Sequence, residues 1–280
     1  MSVLAVKNLC KSYPAFTLQN ISFTLEKGRI MGFIGRNGAG KSTTLKSLLN
    51  YVHPSRGEIE FFGLPFAAHE EEIKQKIGFV SGGINYYGKK KLRVITDATR
   101  RFYTGWDENA YRRYLQMFQL DENKTPEALS EGMKVKYSLA LALSHNAQLL
   151  ILDEPTSGLD PISRDDLLDV FLTLADEGIS ILFSTHITSD LDKCADDITY
   201  IKNGQMMASM PMPAFLAQYK VVDLANGQYK ALAPLLLGTK RSKAGSTALI
   251  KSADAHTAIQ AGVAVHDADL EEVMIHLEKE

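Results

Sequence analysis

Apolar residues along this chain recur with two spacings, one typical of strands and one typical of helices. Short apolar runs at Ile30–Ile34, Leu149–Leu152 and Ile179–Phe183 suit strands that are buried on both faces of a sheet. A helical stretch, roughly Ser163–Glu177, separates the last two runs. Strand–helix–strand spacing of this length predicts a parallel sheet with crossover helices, and therefore an α/β fold.

The two ends of the chain carry further strand patterns. Leu4–Val6 and Ile21–Leu25 predict strands near the start, the second because apolar and polar residues alternate there. After about Gln218 the pattern changes and suggests a small α/β appendage. Its predicted elements are two strands, near Val221–Val222 and at Thr247–Ile250, and a closing helix at Asp269–Glu278.

The middle of the chain, from Glu70 to about Asn146, is mainly helical in character, with a strand-like run at Ile77–Ser81. Four apolar residues in it share one predicted helix face: Tyr111, Tyr114, Leu115 and Phe118. We therefore predict a main domain over residues 1–218, with a helical subdomain at about 85–148. A small accessory domain would occupy residues 219–280.

Composition excludes several classes of protein. The 280 residues are 45% apolar and carry a net charge of −2. This small charge creates no strong electrostatic attraction to nucleic acids or to membrane surfaces. Cys10 and Cys194 lie far apart, without zinc-ligand spacing, which favours a reducing compartment. The apolar runs are much shorter than the ~20 residues that span a bilayer. We therefore expect a soluble, cytoplasmic chain with no nucleic-acid partner.

A glycine-rich segment follows the predicted strand Ile30–Ile34 and reads G-x-x-x-x-G-K-S. Glycines let successive backbone N–H groups face one anion, and the following helix start adds its positive dipole end. Lys41 can then reach the β and γ phosphates, and the Ser42 hydroxyl can ligate Mg²⁺. The segment predicts a nucleoside triphosphate site formed by Gly35, Arg36, Asn37, Gly38, Ala39, Gly40, Lys41, Ser42 and Thr43.

Two carboxylates end the apolar strand Leu149–Leu152. Asp153 stands where a carboxylate can help to hold Mg²⁺ beside the triphosphate. Glu154 can orient or deprotonate the water that attacks the γ-phosphate. Next to a phosphate-binding loop, the pair predicts a hydrolytic site.

Three more segments complete a pattern: Leu129–Lys134, Thr156–Asp160 and Ser184–His186. Together with the phosphate loop and the two acids, they resemble the ATPase subunits of ATP-binding cassette (ABC) transporters, over about residues 1–215. The resemblance implies a P-loop NTPase (RecA-like) fold. Such a fold has a parallel sheet core, an antiparallel β subdomain and an inserted helical subdomain, and here a small C-terminal α/β appendage would follow.

The resemblance also implies roles for residues outside the phosphate loop. Tyr13 would stack on adenine, and His186 would contact the γ-phosphate during catalysis. Two ATP-binding subunits, identical or different, would pair head to tail. Ser130 and Gly132 of one chain, with Asp160, would then complete the ATP site of the other. ATP hydrolysis would drive a separate polytopic permease, which places this chain at the inner face of the cell membrane.

Two positions depart from the family pattern. Glu131 stands where the signature motif usually has its first Gly, and it brings a carboxylate toward a triphosphate. Repulsion should weaken ATP binding unless its side chain turns away or meets a base, and we expect it to face away at little cost. Gly82 stands where the family has a Gln that touches Mg²⁺ and water. One metal contact would therefore be absent, or be supplied by water, Ser81 or Asn85.

Finer resemblance points to one branch of the family. Phe102–Asn123 and Asp269–Met274 are similar to a bacterial exporter branch that handles antibiotics and amphipathic peptides. Asn85–Gly105 holds three Lys and three Arg against one Asp, a net charge of +5. This segment is either a solvated helix face or a contact for acidic partner loops or anionic headgroups. A non-transport ABC ATPase and a low-turnover regulatory module remain alternative functions.

Overall fold

The structure is a computed structural model that describes residues 2–81, 87–224, 232–242 and 245–279. The chain divides into two compact units, residues 1–209 and 210–280. The sequence pattern placed this change near residue 218, within the second unit.

A ten-stranded mixed sheet forms the framework of the first unit, with the order β5-β4-β1-β2-β10-β9-β3-β8-β7-β6. Strands β6, β7, β8, β3 and β9 pair in parallel, whereas β2, β1, β4 and β5 pair antiparallel. The predicted parallel core and antiparallel part are both confirmed. The strands are β1 (Ser2–Tyr13), β2 (Phe16–Glu26), β3 (Ile30–Ile34), β4 (Arg56–Phe61), β5 (Leu64–Pro65), β6 (Ile77–Ser81), β7 (Leu149–Asp153), β8 (Ser180–Thr185), β9 (Asp197–Lys202) and β10 (Gln205–Pro211).

The three short apolar runs of the sequence are central strands of this sheet. Every residue of β3, β7 and β8 is buried, which explains their continuous apolar sequence. In register, Ile34 lies opposite Thr185, and Asp153 lies opposite Ser184. The carboxyl ends of these parallel strands therefore meet at one edge, where open α/β sheets bind ligands.

Seven helices occur in the described part of the first unit. Helix α6 begins two residues earlier than the predicted Ser163, because Asp160 caps it and Pro161 occupies its first position. The helices are α1 (Lys41–Leu48), α2 (Phe66–Lys74), α3 (Leu92–Thr99), α4 (Glu108–Met117), α5 (Glu131–Ser144), α6 (Pro161–Asp176) and α7 (Thr188–Cys194).

Strands β1 and β2 are much longer than the sequence predicted. Asn8 and Asn20 have positive φ angles, 51° and 50°, and the pairing register shifts near Asn8. A bulge of this kind interrupts the alternation of apolar and polar residues without ending the strand. The pattern was therefore visible only on parts of each strand.

Helices α3, α4 and α5 lie between β6 and β7 in sequence, and a buried hydroxyl network joins them. The Thr96 hydroxyl lies 2.8 Å from the hydroxyls of both Tyr111 and Tyr137, and the Tyr137 hydroxyl donates to the Leu92 carbonyl at 2.9 Å. Burial raises the pKa of Tyr111 to about 12, so the network is neutral at physiological pH. The predicted face of α4 is confirmed, because Tyr111, Tyr114 and Phe118 are buried.

The second unit is a four-stranded antiparallel sheet with helices, ordered β12-β13-β11-β14. The sequence predicted two of its strands and its last helix, but not β12 or β14, because neither carries an apolar run. An Asp269–Glu272 capping box starts that helix. The elements are α8 (Met212–Leu216), β11 (Tyr219–Leu224), β12 (Leu237–Ser242), β13 (Gly245–Lys251), α9 (Ala255–Gln260), β14 (Ala264–Asp267) and α10 (Leu270–Leu277).

Within the described residues, every helix is too short or too polar to cross a membrane. The longest, α6, has 16 residues.

Candidate functional site

The phosphate loop connects β3 to α1 as predicted. Gly38 and Gly40 have φ angles of 83° and 113°, a left-handed region in which glycine avoids the strain that a side chain would cause. The Ala39 N–H donates to the Arg36 carbonyl at 3.1 Å, and the Gly204 N–H donates to the Ala39 carbonyl at 2.9 Å. The side chains of Arg36 and Asn37 are exposed, and those of Ser42 and Thr43 are half-buried.

Strand β9 and the β1–β2 hairpin pack closely against this loop. A Cβ at Gly35 would lie 2.3 Å from the Ile201 carbonyl oxygen, and one at Gly40 would lie 2.9 Å from Cζ of Phe16. Glycine at both positions therefore lets the loop approach β9 and the β1–β2 hairpin closely. Phe16 was not predicted as part of the site, since only the folded hairpin brings it to the loop.

Lys41 is buried at the start of α1, with 5% of its surface exposed. Its Nζ donates to the Gly35 carbonyl at 2.7 Å and lies 3.1 Å from Oε1 of Glu154. These contacts aim the ammonium group along the loop, toward the strand end that carries the acids. The structure thus brings together the predicted lysine and the predicted catalytic carboxylate.

Asp153, at the end of β7, accepts hydrogen bonds from two hydroxyls. Ser42 Oγ donates to its Oδ1 at 3.0 Å, and Ser184 Oγ donates to the same oxygen at 2.7 Å. Adjacent hydroxyl and carboxylate oxygens are hard donors of the type that Mg²⁺ prefers. Ser184 was not assigned a role from the sequence, although it begins the Ser184–His186 segment.

This donor set suits Mg²⁺ that is bound together with a substrate. Among the residues that the structure describes, no group of three or more His, Cys, Asp or Glu side chains could hold a metal by itself. Mg²⁺ usually takes one or two carboxylates and completes its shell with substrate phosphates and water. The residues present therefore fit Mg²⁺ beside a triphosphate.

Glu154 follows Asp153 in a left-handed conformation, with φ at 51°. Its backbone N–H donates to Ser184 Oγ at 3.0 Å, and its Oε2 lies 2.8 Å from Nδ1 of His186. A non-glycine residue in this region is strained, and such strain is typical of functional sites. The turn directs the Glu154 carboxylate between Lys41 and His186, so one carboxylate contacts both predicted partners.

Tyr13 lies at the end of β1, and 41% of its surface is exposed. Nζ of Lys11 lies over the Tyr13 ring, 5.4 Å from the ring centroid. Tyr13 pairs with Phe16 across the hairpin turn, and Phe16 lies next to Gly40. The hairpin therefore holds an accessible aromatic ring near the phosphate loop.

The signature segment begins helix α5. Ser130 Oγ accepts a hydrogen bond from the Met133 N–H at 3.2 Å, so Ser130 is the N-cap of this helix. The nearest atom to a Cβ at Gly132 would be Cβ of Ser163 on α6, at 3.5 Å. Within the described residues, Ser130 and Gly132 contact α5, α6 and Leu159 in the loop before α6, so the structure does not join them to the phosphate loop of the same chain.

Asp160 has the same kind of local role. Its Oδ1 accepts hydrogen bonds from the N–H groups of Ile162 and Ser163, both at 3.0 Å. Hydrogen bonding from the Ser163 hydroxyl, followed by the Ser163 N–H, lowers the pKa of this carboxyl. Asp160 is therefore a charged N-cap of α6, and these contacts connect it to its own helix.

A cavity of about 410 Å³ lies beside the acids, lined by residues that include Ser81, Glu131, Asp153, Glu154 and Ser157. Ser81 pairs with Asp153 in the parallel register of β6 and β7. Gly82, which replaces the metal-contacting Gln of the family, and the possible substitute Asn85 lie outside the described residues. Much of the basic segment 85–105 is described, and within it Arg100 pairs with Asp97 and Glu108.

Glu131 meets a base, which is one of the two arrangements that would relieve its repulsion of the phosphates. Its Oε1 lies 2.6 Å from Nζ of Lys134, one helical turn further on. The carboxylate is 55% exposed, whereas the lysine is 14% exposed. Within the first turn of α5, the acid also interacts favourably with the helix dipole. The ion pair offsets the negative charge that the departure from glycine introduces.

Removing Lys134 should therefore weaken ATP binding, whereas removing Glu131 should change it little. We expect Glu131→Gly to change the ATP concentration for half-maximal turnover by less than tenfold. Lys134→Ala should raise that concentration by up to about fivefold, the range of a partly exposed ion pair, because it leaves the carboxylate unpaired. The double variant should restore the original value. A steady-state titration of ATP checks this, and a tenfold fall in Glu131→Gly would contradict it.

Comparison with known proteins agrees with this geometry. Residues 18–157 match the profile of the family described as ABC transporter. The chain is 33% identical to the bacitracin transport ATP-binding protein of Bacillus licheniformis, over 75% of this chain and 70% of that protein. It is 34% identical to the lantibiotic transport ATP-binding protein of Streptococcus pyogenes, over 73% of this chain and 89% of that protein.

A solved structure supports the same assignment. The ATP-binding subunit of an ABC transporter superposes with a TM-score of 0.70 at 29% identity, and it covers 78% of this chain and 93% of its own. The matched region contains the phosphate loop, both acids and the strands that carry them. The chain therefore belongs to the ABC transporter family and is an ATPase.

Proposed function

We propose that this chain hydrolyses ATP with Mg²⁺ to energise export, through a separate polytopic permease, of antibiotics, peptides or other amphipathic compounds. The observation that carries the hydrolytic part is the Glu154 carboxylate. It lies 3.1 Å from Lys41 Nζ and 2.8 Å from His186 Nδ1, one residue after Asp153. A base, a phosphate-binding cation and a metal-binding pair thus share one edge of the sheet.

The phosphate loop and the hairpin would bind ATP. Backbone N–H groups between Gly35 and Thr43 face one anion, and Lys41 supplies a cation to the β and γ phosphates. The exposed ring of Tyr13 offers a stacking surface for adenine. Ser42 and Asp153 would hold Mg²⁺, which neutralises charge that develops on the phosphates.

Glu154 and His186 would carry the chemical step. The carboxylate orients the attacking water and accepts its proton, while the imidazole contacts the γ-phosphate. The hydrogen bond between Nδ1 of His186 and Glu154 fixes the ring orientation, so that the other ring nitrogen, Nε2, faces away from the acid. The left-handed backbone at Glu154 keeps the carboxylate at this position before substrate arrives.

A second ATP-binding subunit would complete the site. Ser130 and Gly132 contact α5 and α6 rather than the phosphate loop of their own chain, which leaves them able to serve the site of a partner. The start of α5 then points its positive dipole end at the γ-phosphate. Head-to-tail pairing, as a homodimer or a heterodimer, gives Asp160 a place at the same interface, at the end of the loop that precedes α6.

Export and its substrates are inferred from the relatives. The two named above are transport proteins for bacitracin and for lantibiotics. In this arrangement the chain sits in the cytoplasm, peripheral to the inner face of the cell membrane, where it binds the permease. No role in nucleic-acid binding is proposed, since the net charge is −2.

Reconstitution tests the proposal. The chain is purified together with a polytopic membrane protein, taken from a gene next to its own where one is present, and placed in proteoliposomes. We expect a stable complex, Mg²⁺-dependent ATP hydrolysis, and ATP-driven movement of bacitracin or a lantibiotic. Hydrolysis without association or transport would indicate a non-transport ATPase. ATP binding without turnover would indicate a regulatory module, and either result would overturn the proposal.

A further inference from the structure

Asp190 on α7 is a buried carboxylate to which the proposed chemistry gives no role. Its residue surface is 0% exposed. Its Oδ2 accepts a hydrogen bond from Thr156 Oγ1 at 2.6 Å and a longer one from Thr185 Oγ1 at 3.5 Å. Its Oδ1 lies 3.9 Å from Nε of Arg164. A buried carboxylate with polar partners on three other segments is costly to desolvate, so its position needs an explanation.

The partners of Asp190 belong to the segments that carry the predicted site residues. Thr156 lies two residues after Glu154 and opens the loop that ends at Asp160. Arg164 lies in the first turn of α6, where its N–H donates to the Asp160 carbonyl at 3.0 Å. One carboxylate therefore anchors both ends of the loop between Glu154 and α6.

Thr185 connects the same carboxylate to His186. Its Oγ1 donates to Asp190 and also accepts a hydrogen bond from the Ile187 N–H at 3.0 Å. The residues on both sides of His186 are thus tied to one hydroxyl, and that hydroxyl is tied to Asp190. The Asp190 N–H in turn donates to the Ile187 carbonyl at 3.3 Å, which closes the turn that follows the histidine.

We propose that Asp190 is a positioning residue for ATP hydrolysis, which holds His186 and the loop Thr156–Asp160 in one arrangement. The proposal rests on the roles given above to Glu154 and His186. Nδ1 of His186 meets Glu154 at 2.8 Å only if the turn after β8 and the turn after β7 keep their relative positions. Asp190 contacts both turns, through Thr185 and through Thr156.

Through these partners, Asp190 also links the predicted subunit interface to the site of ATP hydrolysis. The loop Thr156–Asp160 leads to the predicted subunit interface, and His186 lies at the γ-phosphate. A change at either place would move a hydrogen-bonded partner of the same carboxylate. Neither Arg164 Nε nor Asp190 Oδ1 has a hydrogen-bond partner among the described residues, so this contact acts by charge and leaves room for adjustment.

Steady-state kinetics of matched variants test the inference. Asp190→Ala should lower kcat by roughly 10- to 100-fold, the effect of misplacing a catalytic group by about 1 Å, and leave the KM for ATP within about threefold. Thr156→Val removes the hydroxyl and should lower kcat in the same direction, whereas Thr156→Ser keeps the hydroxyl and should retain activity. Asp190→Ala and Thr156→Val should be non-additive, since they break one contact.

A control variant at a residue of comparable burial distinguishes the positioning role of Asp190 from a purely structural one. Leu174→Ala, in the buried face of α6, destabilises the fold without touching Asp190 or its partners. Its kcat per folded molecule should stay near the wild-type value. An equal fall in Leu174→Ala, additive effects of Asp190→Ala and Thr156→Val, or unchanged kcat in both of these variants would overturn the inference.

Failure of the inference can be distinguished from failure of the proposed mechanism. If Glu154→Gln abolishes turnover while Asp190→Ala and Thr156→Val do not change it, only the positioning role is wrong. If Glu154→Gln remains active, the mechanism itself is wrong. Should Asp190→Ala fail to fold, the pair Thr156→Val and Thr156→Ser decides the question, because only Thr156→Ser keeps the hydroxyl that contacts Asp190.

Discussion

Glu154→Gln is expected to abolish ATP turnover while the protein still binds ATP. The amide has the shape of the carboxylate, so the left-handed turn and its hydrogen bonds to Ser184 are retained. It cannot accept a proton from water, and it removes the negative charge beside Lys41 and His186. Loss of a general base lowers kcat by about 10²- to 10⁴-fold. Phosphate release and the binding of a fluorescent ATP analogue measure the two properties separately.

A matched variant distinguishes loss of the base from a general effect of removing charge. Glu72→Gln makes the same chemical change at an exposed ion pair with Lys76, on α2. Its turnover should stay within about twofold of wild type, as expected for a surface pair. If Glu154→Gln kept more than a tenth of wild-type turnover, the proton would have to go to another group, and His186 would be the nearest candidate.

The phosphate loop and the two acids could be predicted because their signals are local. Gly35–Thr43 follows a short buried strand and precedes a helix, and both elements are present with the bounds that the pattern suggests. Asp153 and Glu154 end a strand that is apolar throughout. Parallel strands place their carboxyl ends at one edge of the sheet. A correct prediction of the sheet therefore also places the phosphate loop, the two acids and the segment Ser184–His186 close together.

The contacts that organise the site depend on pairing between distant segments, which a single sequence does not specify. Ser184 binds Asp153 because β7 and β8 align those two residues. Phe16 reaches Gly40 because β1 and β2 turn back at residues 14–15. Asp190 holds Thr156 across 34 residues of chain. Each of these side chains is common in strand ends and turns, so residue type alone does not indicate its partner.

Strand boundaries were predicted least well, and the reason is physical. The Asn8 bulge breaks the alternation of β1, and Asn20 has a positive φ within β2. Strand β12 carries Lys240 and Arg241, so it has no apolar run. Such strands are stabilised by backbone hydrogen bonds to the neighbouring strands, so their sequences need no regular apolar pattern. The start of helix α5 is marked more clearly, because Ser130 is its N-cap and the acidic residue Glu131 is its first helical residue.

Lys41→Ala is expected to remove most of the affinity for ATP, and with it the turnover at low ATP concentration. Nζ of Lys41 is buried and directed along the loop by its bond to the Gly35 carbonyl. A charge-assisted hydrogen bond contributes about 1.5–3 kcal/mol, so losing one to a phosphate weakens binding by roughly 10- to 150-fold. Titration calorimetry with ATP and Mg²⁺ measures the dissociation constant directly.

The same substitution separates phosphate binding from the stability of the site. Without Lys41, Glu154 loses its cationic neighbour at 3.1 Å but keeps His186, so the turn after β7 should persist. Thermal unfolding of Lys41→Ala should therefore remain cooperative while ATP no longer raises its Tm appreciably, because ligand stabilisation depends on affinity. Lys7→Ala, which removes an exposed lysine on β1, serves as the charge control and should retain the full ATP-dependent shift. An ATP dissociation constant within twofold of wild type in Lys41→Ala would mean that the backbone N–H groups of residues 35–43 bind the phosphates without the lysine.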